Sequence, residues 1–238
     1  MTEELILDLY AGLKGWSGPW AEAGAEVITL DIDARFSPTF AVDILTVADP
    51  RDLLGDRRPS VILASPPCET FSVASIGTHW AGGRQAYEPR TDAARRGMAI
   101  AARTVSWITQ LAPRASVIEN PRGVLRKLGI IPWAPTTHWY CHYGETRAKP
   151  TDLWVSGFAF PSNLCHNQRA GHGADCCCRD HEAAPRGAKT GTQGIGTYAD
   201  RSEIPRGLAE AVRAAILEGR GQEPDPAYEQ GELIGDRT

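Results

Sequence analysis

Leu5-Ile6-Leu7-Asp8-Leu9-Tyr10-Ala11-Gly12-Leu13-Lys14-Gly15-Trp16-Ser17-Gly18-Pro19-Trp20 is a short apolar run broken by one acid, a turn carrying two glycines, and the opening of a helix. The stretch reads strand, turn, helix. Ser17 stands where a helix N-cap belongs, and Pro19 suits a first turn, where no backbone donor is needed. The same unit recurs outward along the chain. Glu26 to Leu30 is a second strand, ending at Asp31-Ile32-Asp33, and Phe40-Ala41-Val42 leads to Asp43. Val61-Ile62-Leu63-Ala64 runs into Ser65-Pro66-Pro67-Cys68, and Ser116 to Ile118 into Glu119-Asn120-Pro121. Between them, Thr91 to Leu111 places Ala94, Met98, Ala101, Val105 and Ile108 at helical spacing before Pro113. Apolar strands alternating with helices imply an α/β fold, a mostly parallel sheet covered on both faces, with ligands gathered at the carboxyl ends of the strands.

Beyond Pro135 the pattern changes. Thr136 to Tyr143 and Thr151 to Val155 predict a strand pair that finishes the sheet, and Pro205 to Leu217 predicts a closing helix. Residues 157 to 200, rich in Gly, Cys, His and Arg, show little periodicity and read as a small irregular insertion. The chain thus divides into a body over 1–156, the insertion over 157–200, a helix completing the body over 201–217, and an acidic tail over 218–238 expected to be disordered.

A chain of 238 residues with 42% hydrophobic and 23% charged residues suits one such domain with a small appendage. No apolar run is long enough to cross a bilayer, and no basic region precedes Leu5, so a soluble cytoplasmic chain with no membrane partner is expected; it is expected to act as a monomer. Of six cysteines, Cys68 stands alone and Cys176, Cys177 and Cys178 are consecutive, a poor pattern for disulfides and a better one for a reducing compartment. The net charge of -4 lies entirely beyond residue 216, where six acids face two arginines. Within the neutral body, Arg84, Arg90, Arg95, Arg96 and Arg103 face only Glu88 and Asp92. This segment reads either as a solvated helix face or as a phosphate-facing surface.

The turn at Gly12 to Gly15 brings bare backbone to a strand end, as a nucleotide-type cofactor requires, although it does not match the dinucleotide fingerprint and its glycines equally serve a tight turn. Asp31 suits ribose hydroxyls and Asp43 an adenine amino group; each is equally a helix cap. Ser65-Pro66-Pro67-Cys68 is more informative. Two prolines stiffen the backbone before a cysteine at a strand end, which presents a sulfur nucleophile from a rigid platform. The alternative is a small buried hydrophobe.

Asp8-Leu9-Tyr10-Ala11-Gly12, Pro66-Pro67-Cys68-x-x-Phe71-Ser72 and Glu119-Asn120-Pro121, in this order, resemble the cytosine-C5 DNA methyltransferase family, with short phage-borne or orphan members most similar at Ser72 to Gly83, Lys149 to Trp154 and Gly191 to Gly194. The resemblance implies a Rossmann-like, class I S-adenosylmethionine-dependent methyltransferase fold acting on double-stranded DNA. On the family pattern, Cys68 attacks cytosine C6 and Glu119 engages N3 and the exocyclic amine. Lys149 stands where an arginine usually contacts the base, with Arg147 the second candidate; lysine offers a point charge in place of a planar fork. Tyr10, Gly12, Gly15, Trp16, Ser17 and Pro66 would line the cofactor, Asp31 hold its ribose, Ile32 pack on its adenine, Asp43 meet the adenine edge, and Ser202 stand for the last cofactor motif. The alternatives are an RNA cytosine methyltransferase on the same fold and a catalytically degenerate DNA-binding member. Ser72 to Arg96 would be a loop hinged at Gly77, Gly82 and Gly83, its arginines on phosphates and His79 and Trp80 either entering the duplex or packing the closed loop. In the insertion, Cys165, His172, Cys176, Cys178 and His181 could hold one structural zinc, or stay as reduced thiols.

Overall fold

The computed structural model describes residues 4–82, 86–145, 149–165 and 202–219. In chain order its elements are β1 (Leu5–Leu9), α1 (Gly18–Glu22), β2 (Glu26–Asp31), β3 (Phe40–Ala41), α2 (Arg51–Leu54), β4 (Val61–Ala64), α3 (Ile76–His79), β5 (Trp80–Ala81), β6 (Glu88–Pro89), α4 (Asp92–Leu111), β7 (Ala115–Pro121), β8 (Thr136–Trp139), β9 (Pro150–Ser156) and α5 (Arg206–Glu218). Seven strands form one sheet in the order β3-β2-β1-β4-β7-β9-β8. The first five are parallel; β9 runs antiparallel to β7 and to β8. This is the Rossmann-like arrangement expected, and its strand order reverses between β1 and β4, where open α/β sheets bind ligands.

Period-two alternation divides the core. Leu5, Leu7 and Leu9 of β1 join Ile28, Leu30, Ile62 and Ile118 and, from α4, Ile100, Ala101, Trp107 and Ile108. Ile6 turns the other way, with Val61, Leu63 and Val117, onto Trp20 of α1 and Leu208, Val212 and Ile216 of α5. Each fully buried aliphatic side chain stabilises the fold by about 1.5–3 kcal/mol. Helix α4 starts where expected because the Thr91 side chain accepts from the Ala94 N–H. The closing helix α5 is tied back across the chain by Arg206, which donates to both carboxylate oxygens of Glu22.

Three local expectations differ. Ser17 occupies the N-cap position but makes no capping bond; its hydroxyl and N–H serve Asp8 instead. The strand expected at Thr136 to Tyr143 stops at Trp139 and tightens into a 3-10 turn over Tyr140–Tyr143. Strand β7 extends to Pro121, because β9 pairs along it to the Pro121–Thr151 register. The described start of the stretch read as the insertion packs on the body: Phe158 enters the α5-side core, Phe160 stacks on His138 at 4.6 Å, and Asn163 bridges the outer edge of β8; residues 166–200 lie outside the described residues. The acidic tail from residue 220 onward lies outside the described residues. Among the described residues, no helix is long and apolar enough to cross a membrane.

Candidate active site

The turn after β1 is held open by its backbone. Tyr10 takes φ +64° and Gly12 φ +47°, and the Gly12 N–H donates to Asp31 Oδ2 at 2.9 Å. The Asp33 N–H donates to Asp31 Oδ1 at 2.8 Å, so each oxygen of Asp31 is fixed by a peptide group and the carboxylate stands at the β2 end in a set orientation. The Tyr10 hydroxyl bonds the Thr104 hydroxyl at 2.8 Å, and burial pushes the phenol well above its usual range. Gly15 allows a close approach: a Cβ there would lie 3.0 Å from the Ile204 carbonyl oxygen, so a larger residue would have to push that segment back. The chain from Ser202 to Ile204 thereby closes one side of the turn. Below it Asp8 is 1% exposed. Burial raises its carboxyl from 3.8 to about 7 despite hydrogen bonds from the Ser17 side chain and backbone, and its Oδ2 has no partner.

The cysteine platform follows β4. Trp16 Nε1 donates to the Ser65 hydroxyl at 2.9 Å, linking the two turns. Asn120 Nδ2 donates to the Pro66 carbonyl at 2.9 Å, and the Phe71 and Ser72 N–H groups donate to the Cys68 carbonyl at 3.0 and 3.1 Å. Proline geometry and three hydrogen bonds fix the backbone on both sides of the half-buried Cys68. Glu119, 5% exposed on β7, accepts at Oε1 from the Tyr140 hydroxyl at 3.2 Å and from the Thr151 hydroxyl. Lys149 Nζ donates to the Tyr140 oxygen at 3.4 Å and lies 4.5 Å from the centre of its ring.

Tyr10, Gly12, Gly15, Trp16, Asp31, Ile32, Pro66, Cys68, Glu119, Lys149 and Ser202 all line one cleft of about 800 Å³. A slot of about 210 Å³ beside it is lined by Tyr10, Ile32, Asp43 and Arg96. Of the described catalytic and cofactor candidates, Ser17 lines neither cavity, being turned toward Asp8; Arg147 lies outside the described residues. Sequence reasoning missed Tyr140, Thr151 and the side-chain role of Asn120. Only the acid–amide pair Glu119-Asn120 closing an apolar strand hinted at the last.

The arginines of the basic segment are engaged within the protein. Arg96 pairs with Asp43 at 2.5 Å, and Arg95 with Asp92 at 2.7 Å. Arg103 donates to the Val47 and Ala48 carbonyls and Arg90 to that of Gly77; Arg84 lies outside the described residues. Burial acts to raise the Asp43 carboxyl, but Arg96 and the Leu45 N–H hold it below its usual range. Trp80 packs the loop: it is buried, stacks on Phe71 at 6.0 Å and donates to the Thr70 carbonyl at 2.6 Å. His79 bonds the Thr91 hydroxyl at 2.7 Å. Of the proposed zinc ligands, Cys165 is buried with Cys141 against Trp139, while His172, Cys176, Cys178 and His181 lie outside the described residues. Among the described residues no three metal-ligating side chains come together.

No model of a known protein family matches the chain. A Frog virus 3 protein named "Probable DNA (cytosine-5)-methyltransferase" is 29% identical over 163 residues, covering 67% of this chain and 74% of its own. The "Type II methyltransferase M.AplI" of Arthrospira platensis is 31% identical over 132 residues, covering 53% of this chain but 34% of its own. Among solved structures, the Entamoeba histolytica methyltransferase EhMeth aligns with 13% identity and a TM-score of 0.45, over 71% of this chain and 57% of its own. The chain therefore spans most of the viral relative and a third of the Arthrospira one. By its motifs, which meet at one cleft, and by these two sequence relationships, the chain resembles cytosine-C5 DNA methyltransferases.

Proposed function

We propose that the chain methylates C5 of a cytosine in double-stranded DNA, taking the methyl group from S-adenosylmethionine through a covalent intermediate on Cys68. The observation that carries this reading is the opening of three independent features on one cleft: the glycine turn with its peptide-anchored Asp31, the braced Cys68, and Glu119 with one carboxylate oxygen bonded to the protein. The residues present fit the cofactor. Asp31 is oriented to accept from ribose hydroxyls, and Asp43 lines the adjoining slot at the adenine edge. Ile32, apolar yet 64% exposed, offers an aliphatic surface for a purine face. Bound there, S-adenosylmethionine would supply an electrophilic methyl group. The DNA substrate is that of the viral relative's name.

The residues divide the work. Cys68, as thiolate, adds to cytosine C6, and the electron pair of the C5–C6 bond moves toward C5. Glu119 hydrogen-bonds the N3 and amine edge, stabilising the charge that develops on the ring. After methyl transfer, water accepts the C5 proton, its electron pair re-forms the C5–C6 double bond, and Cys68 leaves as thiolate. The experiment is incubation of the full chain with cofactor and duplex DNA, followed by methylation sequencing, and in parallel with DNA carrying 5-fluorocytosine, where fluorine at C5 blocks elimination. Methyl transfer and a stable adduct are expected. Cys68→Ala should abolish both while cofactor binding by calorimetry stays within about twofold; methyl transfer by Cys68→Ala would overturn the mechanism.

A further inference from the structure

Glu119 is held by side chains for which the family motifs provide no role. Both of its protein hydrogen bonds, from Tyr140 and Thr151, end on Oε1, and Oε2 takes neither. A carboxyl group whose oxygens are equivalent turns freely about its last torsion; two donors on one oxygen remove that freedom. Tyr140 is 0% exposed, so its hydroxyl has a fixed place. The lysine ammonium can only donate, so where Lys149 approaches, the Tyr140 oxygen acts as acceptor and its own proton is directed at Glu119. An ammonium beside the phenol oxygen also polarises the O–H and strengthens it as a donor.

We infer that Tyr140 and Thr151 are positioning residues that commit Oε1 of Glu119 to the protein and reserve Oε2 for the target base, with Lys149 acting on Glu119 through the Tyr140 hydroxyl. Oε2 is then the atom that bears the proton shared with base N3, and Oε1 stays an acceptor throughout. The inference rests on the reading of the cleft as a cytosine methyltransferase site and assigns to a lysine–tyrosine relay the orienting work that a guanidinium fork would do directly.

The test uses the full chain and separates rate from binding. Tyr140→Phe keeps the ring beneath Lys149 and removes only the hydroxyl. It should lower kcat roughly ten- to a hundredfold, with KM for cofactor and calorimetric cofactor affinity within about twofold of the parent. Lys149→Met should lower kcat too, and the double variant should be little worse than Tyr140→Phe, because the lysine works through the phenol. Thr151→Ser should retain most of the rate and Thr151→Val should lose it, a comparison that stands even if Tyr140→Phe does not fold. A Tyr140→Phe enzyme with parental kcat overturns the inference. So does a fall in cofactor affinity in proportion to rate, which would mark a merely structural role, and so do additive effects of the two substitutions. A parent chain that binds cofactor and transfers no methyl group overturns the functional reading itself, and the inference falls with it.

Discussion

The two walls of the cleft are built by different means. The wall proposed for the cofactor is mostly backbone: peptide N–H groups on Asp31, left-handed turns at Tyr10 and Gly12, and the contact of Gly15 with the chain at Ile204. The wall proposed for the target base is mostly side chain: Asn120 on the Pro66 carbonyl, and Tyr140 and Thr151 on Glu119. A backbone-built wall tolerates many side chains but no change of path, whereas a side-chain wall depends on single polar atoms. The same cleft should therefore fail in two distinguishable ways.

The wall proposed for the cofactor is tested by Gly15→Val. Its branched side chain would be driven against the Ile204 backbone, and cofactor affinity should fall by at least about tenfold, the equivalent of roughly 1.4 kcal/mol. Titration calorimetry checks this, and unchanged affinity would show that the two segments yield easily.

Asp8→Asn probes the floor of the cofactor wall through pH. In the unfolded chain Asp8 ionises near 3.8, in the folded chain at about 7. The folded state thus binds the proton more tightly, and the stability this contributes is whole below pH 4 and lost as pH rises to 7. The upper limit of that loss is on the order of 4 kcal/mol. Thermal unfolding should show Asp8→Asn gaining on the parent between pH 4 and 7 and keeping a constant lead above. A pH-independent difference would mean that Asp8 is relieved by a partner in solution. His138, buried at the other end of the sheet and depressed to about 4, gives the opposite slope over part of this range, so the comparison must be variant against parent.

The wall proposed for the base should fail in stability and rate, with cofactor affinity kept. Asn120→Ala leaves the Pro66 carbonyl without its donor and should cost about 1–3 kcal/mol in denaturant unfolding. It should also slow methyl transfer while cofactor affinity stays within about twofold. Loss of cofactor affinity would mean that Pro66 braces both walls equally.

The same division decides what the sequence made legible. Strand, turn and helix signals are local, so β1, β2, β4, α4 and the residues at the strand ends are readable by apolar period and turn chemistry alone. Asp31 and Gly12, only 19 positions apart, meet because β1 and β2 are neighbours. Tyr140 and Thr151 reach Glu119 from 21 and 32 positions away. Their meeting depends on β9 entering between β7 and β8, and on the chain tightening into a 3-10 turn at Tyr140 where strand was expected. The pairing of Arg96 with Asp43 across 53 positions was hidden for the same reason: a basic segment read in isolation gives no sign of the acids it folds onto.

Helix α5 carries a consequence for how the molecule is made. It covers the face of the sheet that holds Ile6, Val61, Leu63 and Val117, and the segment leading into it meets Gly15. During synthesis the strands of the cleft emerge long before residues 202 to 216, so an apolar sheet face on which α1 packs waits incompletely covered until α5 emerges. Contacts of this sequence span make folding slow and leave the waiting intermediate prone to stick to itself. Nascent chains halted before residue 202 should accordingly engage chaperones, and release should coincide with the emergence of α5.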